Sequence, residues 1–259
     1  MDAARFAAPL APLALTLALA LPAGAYAQAC SGSGNSSVAA PVRAATPQPQ
    51  TRKEAVFLAA HEEIRSRLRA MPDADLVFIG DSITAHLSDE DRFKTLPGLA
   101  GRKALNLGVP GDQTENVLWR LDRLDLASIK PRQAVLLIGT NNLRGDDSAC
   151  DILAGIDAIL QRARAAWPAA QLVVVGILPR GPGMQFAIER RRGVNAALRA
   201  ASATAGHIFV DPTAAFLCGG GNACGYFQDD LLHLLPAGYA HYWSVLRPVL
   251  EEQGGGAPR

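Results

Sequence analysis

The sequence predicts a three-layer α/β/α sandwich built on a mostly five-stranded parallel sheet, and three observations carry that expectation. Five short, apolar, β-branched runs recur along the chain. Amphipathic stretches of helical period lie between and around them. The intervals are too long for hairpins, so neighbouring strands run parallel, and strands without polar alternation are covered on both faces.

In chain order, the first segment, "MDAARFAAPLAPLALTLALALPAGAYAQAC", reads as an export signal over 1–27. Arg5 gives a positive start, residues 6 to 21 are apolar apart from Thr16, and Ala25 and Ala27 fit an A-x-A cleavage site. The run carries Pro9, Pro12 and Pro22 and is short for a membrane span of ~20 residues, so no stable span is expected. A lipid anchor on Cys30 is the minor alternative, because Ala27 stands where that motif prefers leucine. The expected place is therefore the periplasm or the exterior. Residues 28–52 are rich in Ser, Gly, Pro, Ala and Gln and read as a flexible linker. Residues 53–252 form the expected catalytic domain, and 253–259 a disordered tail.

Within the domain, helix is expected over 53–70, before the strand "LVFIG" at 76–80. The strands "ALNLG" (104–108), "AVLLIG" (134–139), "QLVVVGIL" (171–178) and "HIFVD" (207–211) follow, with helices at 113–124, 150–166, 186–204 and 237–252. Asp112 with Glu115 reads as a capping pair for the second of these helices.

Of the 259 residues, 49% are hydrophobic and the formal net charge is +1, which suits one well-cored domain with extensions. Near-neutral charge gives no reason to expect nucleic acid as a partner, and Arg190, Arg191 and Arg192 read as a solvated helix face. The four cysteines of an exported chain suggest disulfides. Cys218 and Cys224 flank the loop "GGGNA", and Cys30 with Cys150 follows by elimination. A zinc site is the rival, without a histidine at ligand spacing.

Ligands of such sheets bind beyond the carboxyl ends of the strands. There lie Gly80-Asp81-Ser82, "NLGVPGDQT" (106–114) and "GTNN" (139–142). Each alone is ordinary turn chemistry. A serine becomes a nucleophile when a histidine takes its proton and an acid orients that histidine. Of the five histidines, His233 in "DDLLHLLPAGY" has Asp230 three residues before it, at a spacing that lets one turn aim both side chains. Asp229 is a possible substitute for the acid. His86 competes as a base, though it points along the helix after Ser82. Oxyanion donors are available from the Ser82 amide, from glycines after the second strand and from the Asn141 side chain.

In order and approximate spacing, "IGDSIT", "NLGVPGDQT", "IGTNN" and "DLLH" resemble the four blocks of the GDSL or SGNH hydrolases, whose fold is flavodoxin-like. The longer stretches "LNLGVPGDQTENVLWRL", "GILPRG" and "DLLHLLPAGYA" resemble the catalytic subunits of the intracellular platelet-activating factor acetylhydrolases, and the likeness covers about residues 75–250. By position, the resemblance implies Ser82 as nucleophile, His233 as base and Asp230 as orienting acid. It implies an oxyanion hole of Ser82, Gly111 (rather than Gly108) and Asn141, and an acyl pocket closed by Ile83, Thr140 and Leu232. No metal or cofactor is implied. Ile83 departs from the signature's leucine, and Pro110 replaces a common glycine.

The expected function is an exported serine esterase acting on short-chain, acetyl esters of a small molecule or carbohydrate. The alternatives are an acyltransferase that hands the acetyl group to a glycan and a non-catalytic envelope binding module. The animal enzymes resembled are cytosolic, so a phospholipid substrate does not transfer with the fold. Sequence predicts neither the natural ester nor the oligomeric state, and leaves Asp81 as a brace for the loop.

Overall fold

A computed structural model describes Cys30 and residues 42–252. The expected export signal, most of the expected linker and the tail lie outside the described residues.

All five expected strands form, as β1 (Leu76–Gly80), β2 (Ala104–Asn106), β3 (Gln133–Leu137), β4 (Gln171–Val175) and β5 (Ile208–Val210). They pair in parallel in the order β2-β1-β3-β4-β5. The longer helices are α1 (Glu54–Ala70), α4 (Thr114–Leu121), α5 (Ala149–Ala166), α6 (Ile188–Ala205) and α7 (Pro236–Glu252). Two one-turn helices, α2 (Ser82–Ala85) and α3 (Arg92–Thr95), follow β1.

The strand residues alternate between two cores. Val77, Ile79, Leu136 and Val174 join the cluster that holds Leu68 of α1, Leu118 of α4, Ile156 of α5 and Leu198 of α6. Phe78, Val135, Leu137 and Val173 join a second cluster with Tyr242, Trp243 and Leu246 of α7. Side chains of successive strand residues point to opposite faces, and here both faces are covered, which is why the runs read as continuously apolar.

Several strands end earlier than expected. The Asn106 side chain is the cause in β2: its Oδ1 accepts from Gly108 N–H at 2.8 Å, and its Nδ2 donates to the Thr84 carbonyl at 2.7 Å. The chain leaves the sheet there, although Leu107 N–H and Val109 N–H still donate to Phe78 and Gly80 carbonyls.

The expected linker is wrong for its last part. Residues 42–52 lie as a strap across α4 and α5. Ala44 is fully buried, and its carbonyl accepts from Thr114 Oγ1 at 2.7 Å. Gln48 exchanges hydrogen bonds with the Glu115 carbonyl and the Asn116 side chain, both at 3.0 Å. Arg43 pairs with both Glu115 and Asp147. A Pro- and Gln-rich stretch shows no periodicity, yet the Thr114 and Asn116 side chains and the Glu115 carbonyl on α4 satisfy its backbone groups.

Those contacts also correct the expected Asp112–Glu115 cap. Asn116 Oδ1 accepts from Gln113 N–H at 2.9 Å and caps α4 instead, while both carboxylates are drawn to arginines. Cys30 is bonded to Cys150 at the start of α5, and Cys218 to Cys224.

Candidate active site

In a sheet of this order the crevice opens where crossovers diverge, between β1 and β3. Ser82 follows β1 there and Asn141 follows β3. Gly80 is required by space: a Cβ would come within 2.2 Å of both the Leu137 carbonyl oxygen and Thr84 Oγ1. The serine turn is therefore pressed directly onto β3. Asp81 caps α2, its Oδ1 accepting from Ile83 N–H at 3.0 Å, and so does brace the loop.

The His233 side chain reaches this place from the turn before α7. Asp230 Oδ1 accepts from Leu232 N–H at 3.0 Å and His233 N–H at 2.9 Å, which folds the turn around the carboxylate. Leu231 takes a positive φ of 51° to allow it, and its carbonyl accepts from Gly181 N–H at 2.9 Å. Asp230 Oδ2 then lies 2.5 Å from His233 Nδ1, and His233 Nε2 lies 2.9 Å from Ser82 Oγ. A carboxylate only accepts, so the Nδ1 proton points at Asp230 and Nε2 is left to accept from the serine hydroxyl. Partial burial pushes the Asp230 carboxyl up, but the His233 and Leu232 amides and the His233 ring outweigh it and hold it below its ordinary value. Asp229 takes no part in this chain of bonds among the described residues.

His86 lies beside the site, its ring centroid 5.4 Å from that of His233, without a bond to Ser82. Burial lowers its proton affinity, and His233 and Arg92 add to that while Asp89 opposes it.

Gly111 sits across the cleft with φ +85°, a left-handed conformation natural to glycine. Its N–H has no hydrogen-bond partner among the described residues. Asn141 Nδ2 donates to the Asp112 carbonyl at 2.9 Å, which fixes the amide and leaves its second N–H beside the cleft. Of the three residues expected around the acyl group, Leu232 borders the cleft. Ile83 is buried in the α7-side core, and Thr140 is buried with its hydroxyl bonded to Arg180 Nη1 at 3.0 Å.

Sequence reading missed four supporting residues. Gln50 of the strap donates to the Pro110 carbonyl at 3.1 Å and to Asp112 Oδ1 at 2.6 Å, holding the Gly111 turn from outside. Arg120 donates twice to Asp112 Oδ2, at 2.8 and 2.6 Å, holding it from inside. Arg180, stacked on Phe186 at 4.2 Å, fixes Thr140. Asn142, one residue past Asn141, accepts from Thr114 N–H at 3.0 Å and ties the third loop to α4. The available signals were a polar Arg120 within α4, and the motifs "IGTNN" and "GILPRG", which contain Asn142 and Arg180.

Residues 78–241 match a family model described as the GDSL-like Lipase/Acylhydrolase family. The chain belongs to this family. It is 36% identical over 194 residues to the human platelet-activating factor acetylhydrolase IB subunit alpha1, covering 72% of this chain and 81% of that one. The human alpha2 subunit is 32% identical over 180 residues, covering 69% and 76%. Among solved structures, a GDSL-like lipase from Bacteroides thetaiotaomicron has a TM-score of 0.61 at 20% identity, covering 74% and 97%. An acetyl-xylooligosaccharide esterase from Geobacillus has a TM-score of 0.54 at 17% identity, covering 73% and 98%. These two likenesses are of fold. As a GDSL-type acylhydrolase, the chain is a carboxylic ester hydrolase. Among its described residues no helix is long and apolar enough to cross a membrane.

The aspartate of the GDSL signature has a measurable consequence. Asp81 is fully enclosed, and its Oδ2 has no partner among the described residues. Burial pushes its carboxyl up to about 7; Ile83 N–H and Arg180 oppose this, while Asp112 reinforces it. The unfolded value lies near ~3.9, so between those values the native state binds the extra proton. Stability from this group is whole below about pH 4 and is lost as pH rises through about 7. Thermal melts from pH 5 to 8 should show Tm falling for the parent and a flatter course for Asp81→Asn. Parallel curves would refute this role.

Proposed function

We propose that this acylhydrolase is an exported serine esterase for short-chain esters, acetyl esters foremost, of a small molecule or carbohydrate. The observation that carries the reading is the Asp230–His233–Ser82 hydrogen-bond chain, with links of 2.5 and 2.9 Å, opening onto the cleft that also holds Gly111 and Asn141.

In this mechanism Ser82 Oγ attacks the ester carbonyl carbon as His233 Nε2 takes its proton. Asp230 stabilises the imidazolium and keeps the ring in its tautomer. The carbonyl oxygen becomes an oxyanion, met by the N–H groups of Ser82 and Gly111 and by the Asn141 amide. Each such donor stabilises the transition state by roughly 3 kcal/mol. Collapse expels the alcohol, which leaves with the proton from His233. Water, deprotonated by the same ring, then attacks the acyl-enzyme and releases the carboxylate and free Ser82.

Of the three residues expected around the acyl group, Leu232 borders the cleft, and its bulk there supports an acetyl preference. Similarity to acetylhydrolase subunits supports the same reading. Export is supported by two disulfides, which persist in oxidising compartments.

A chain-length series of p-nitrophenyl esters tests the proposal. Turnover efficiency should drop by roughly tenfold or more from acetate to octanoate, because a site shaped for a short acyl group cannot admit extra methylenes. A flat or rising series would overturn the acetyl assignment.

A further inference from the structure

The cleft beside Ser82 and His233 has a volume of about 760 Å³, and its charge is one-sided. Arg43, Arg52, Lys53 and Arg144 line it, against the carboxylate of Glu115. Arg43 and Glu115 are already paired, and Arg43 also takes Asp147. Arg52, Lys53 and Arg144 remain, all exposed and without an ion pair among the described residues. The chain as a whole has a formal net charge of only +1.

None of the three is needed to hold the backbone that carries it. The loop of Arg144 is pinned by Arg190, whose guanidinium donates to the Leu143, Gly145 and Asp147 carbonyls, each at 2.8 Å. Arg52 and Lys53 end the strap, which Gln48 and Gln50 fasten to the domain. Glu54 starts α1 next to them but does not line the cleft. The two cationic sources therefore stand on separate, independently fixed segments that line the cleft. His86 and His233 add positive charge there only when protonated.

We propose that the cleft selects acetyl esters whose alcohol portion carries an anion, a carboxylate or a phosphate, held by Arg52, Lys53 and Arg144. This rests on the esterase reading above and names its substrate class. A cleft with low-dielectric walls focuses the field of its charges, so unpaired cations there raise the local concentration of an anionic substrate.

The test uses the mature, oxidised protein and three matched esters: 4-acetoxybenzoate, 4-acetoxyphenyl phosphate and neutral 4-acetoxybenzamide. The readout is the ratio of kcat/KM for an anionic ester over the neutral one, compared between parent and variant so that leaving-group reactivity cancels. The ratio should fall by about tenfold in R52A/K53A and in R144A, and the parent's ratio should shrink at high salt. Arg144→Lys should keep most of it, which separates charge from a folding defect. A preference for the carboxylate alone, or the phosphate alone, supports the proposal and identifies the source of the anion. Unchanged ratios, or equal losses on charged and neutral esters, would overturn it. Neutral-ester turnover that needs Ser82 but shows no charge effect would remove this inference and leave the esterase reading standing.

Discussion

Ser82→Ala should lower kcat/KM toward p-nitrophenyl acetate by about 10⁴-fold while leaving the melting temperature near the parent's. The substitution removes one oxygen, the proposed nucleophile. The turn around it stays in place, because Asp81 caps α2 and Gly80 packs on β3 without help from the hydroxyl. Under the proposed mechanism, residual hydrolysis should come from the oxyanion donors and binding alone. Retention of more than about one per cent of parent efficiency would sink the assignment of Ser82. His86, its ring centroid 5.4 Å from that of His233, would then be the first residue to test as an alternative nucleophile or base.

The second large effect is on stability. Arg120→Met should destabilise the fold by about 3–5 kcal/mol, because it leaves the Asp112 carboxylate buried without its partner. Both side chains are fully enclosed. Burial already pushes the Asp112 carboxyl up to about 6 against the opposing Arg120 and Gln50, so losing Arg120 drives it higher still. A shift of that size should lower Tm by roughly 10 °C. Replacing both members, as in Arg120→Met with Asp112→Leu, should recover most of the loss, since an apolar pair carries no desolvation penalty. A double variant as unstable as the single one would show that packing, and not the stranded charge, sets the cost. Differential melts of parent, single and double variants decide between them.

These expectations divide along what a sequence displays. The sheet was legible because each strand is an apolar run, and β1 through β5 all form where the runs lie. Ser82, His233 and Asp230 were legible because motif order carries them, and Asp230 lies close enough to His233 for one turn to aim both. The strap was not. Its backbone is satisfied by Thr114, Glu115 and Asn116, which are far away in the chain and near only after folding. Asp112 looked like a cap because local spacing is all that sequence offers; its true partner Arg120 is eight residues on, buried under the strap. Gly80 looked like a turn former, but its role is set by the Leu137 carbonyl on another strand. Long-range polar contacts leave no periodic trace, and they are what aligns the loops.

The bridge between Cys30 and Cys150 closes a covalent ring over a separation of 120 residues. Ser82, Gly111 and Asn141 fall inside that ring, whereas Asp230 and His233 fall outside it. Closing so long a loop removes roughly 5 kcal/mol of conformational freedom from the unfolded chain in the loop-entropy account. It also gives the two halves of the site unequal protection against proteases. One cut within the ring opens it but frees no fragment, so Ser82, Gly111 and Asn141 stay on one molecule. A cut between Cys150 and Cys218 would leave the turn bearing His233 joined to the rest by packing alone.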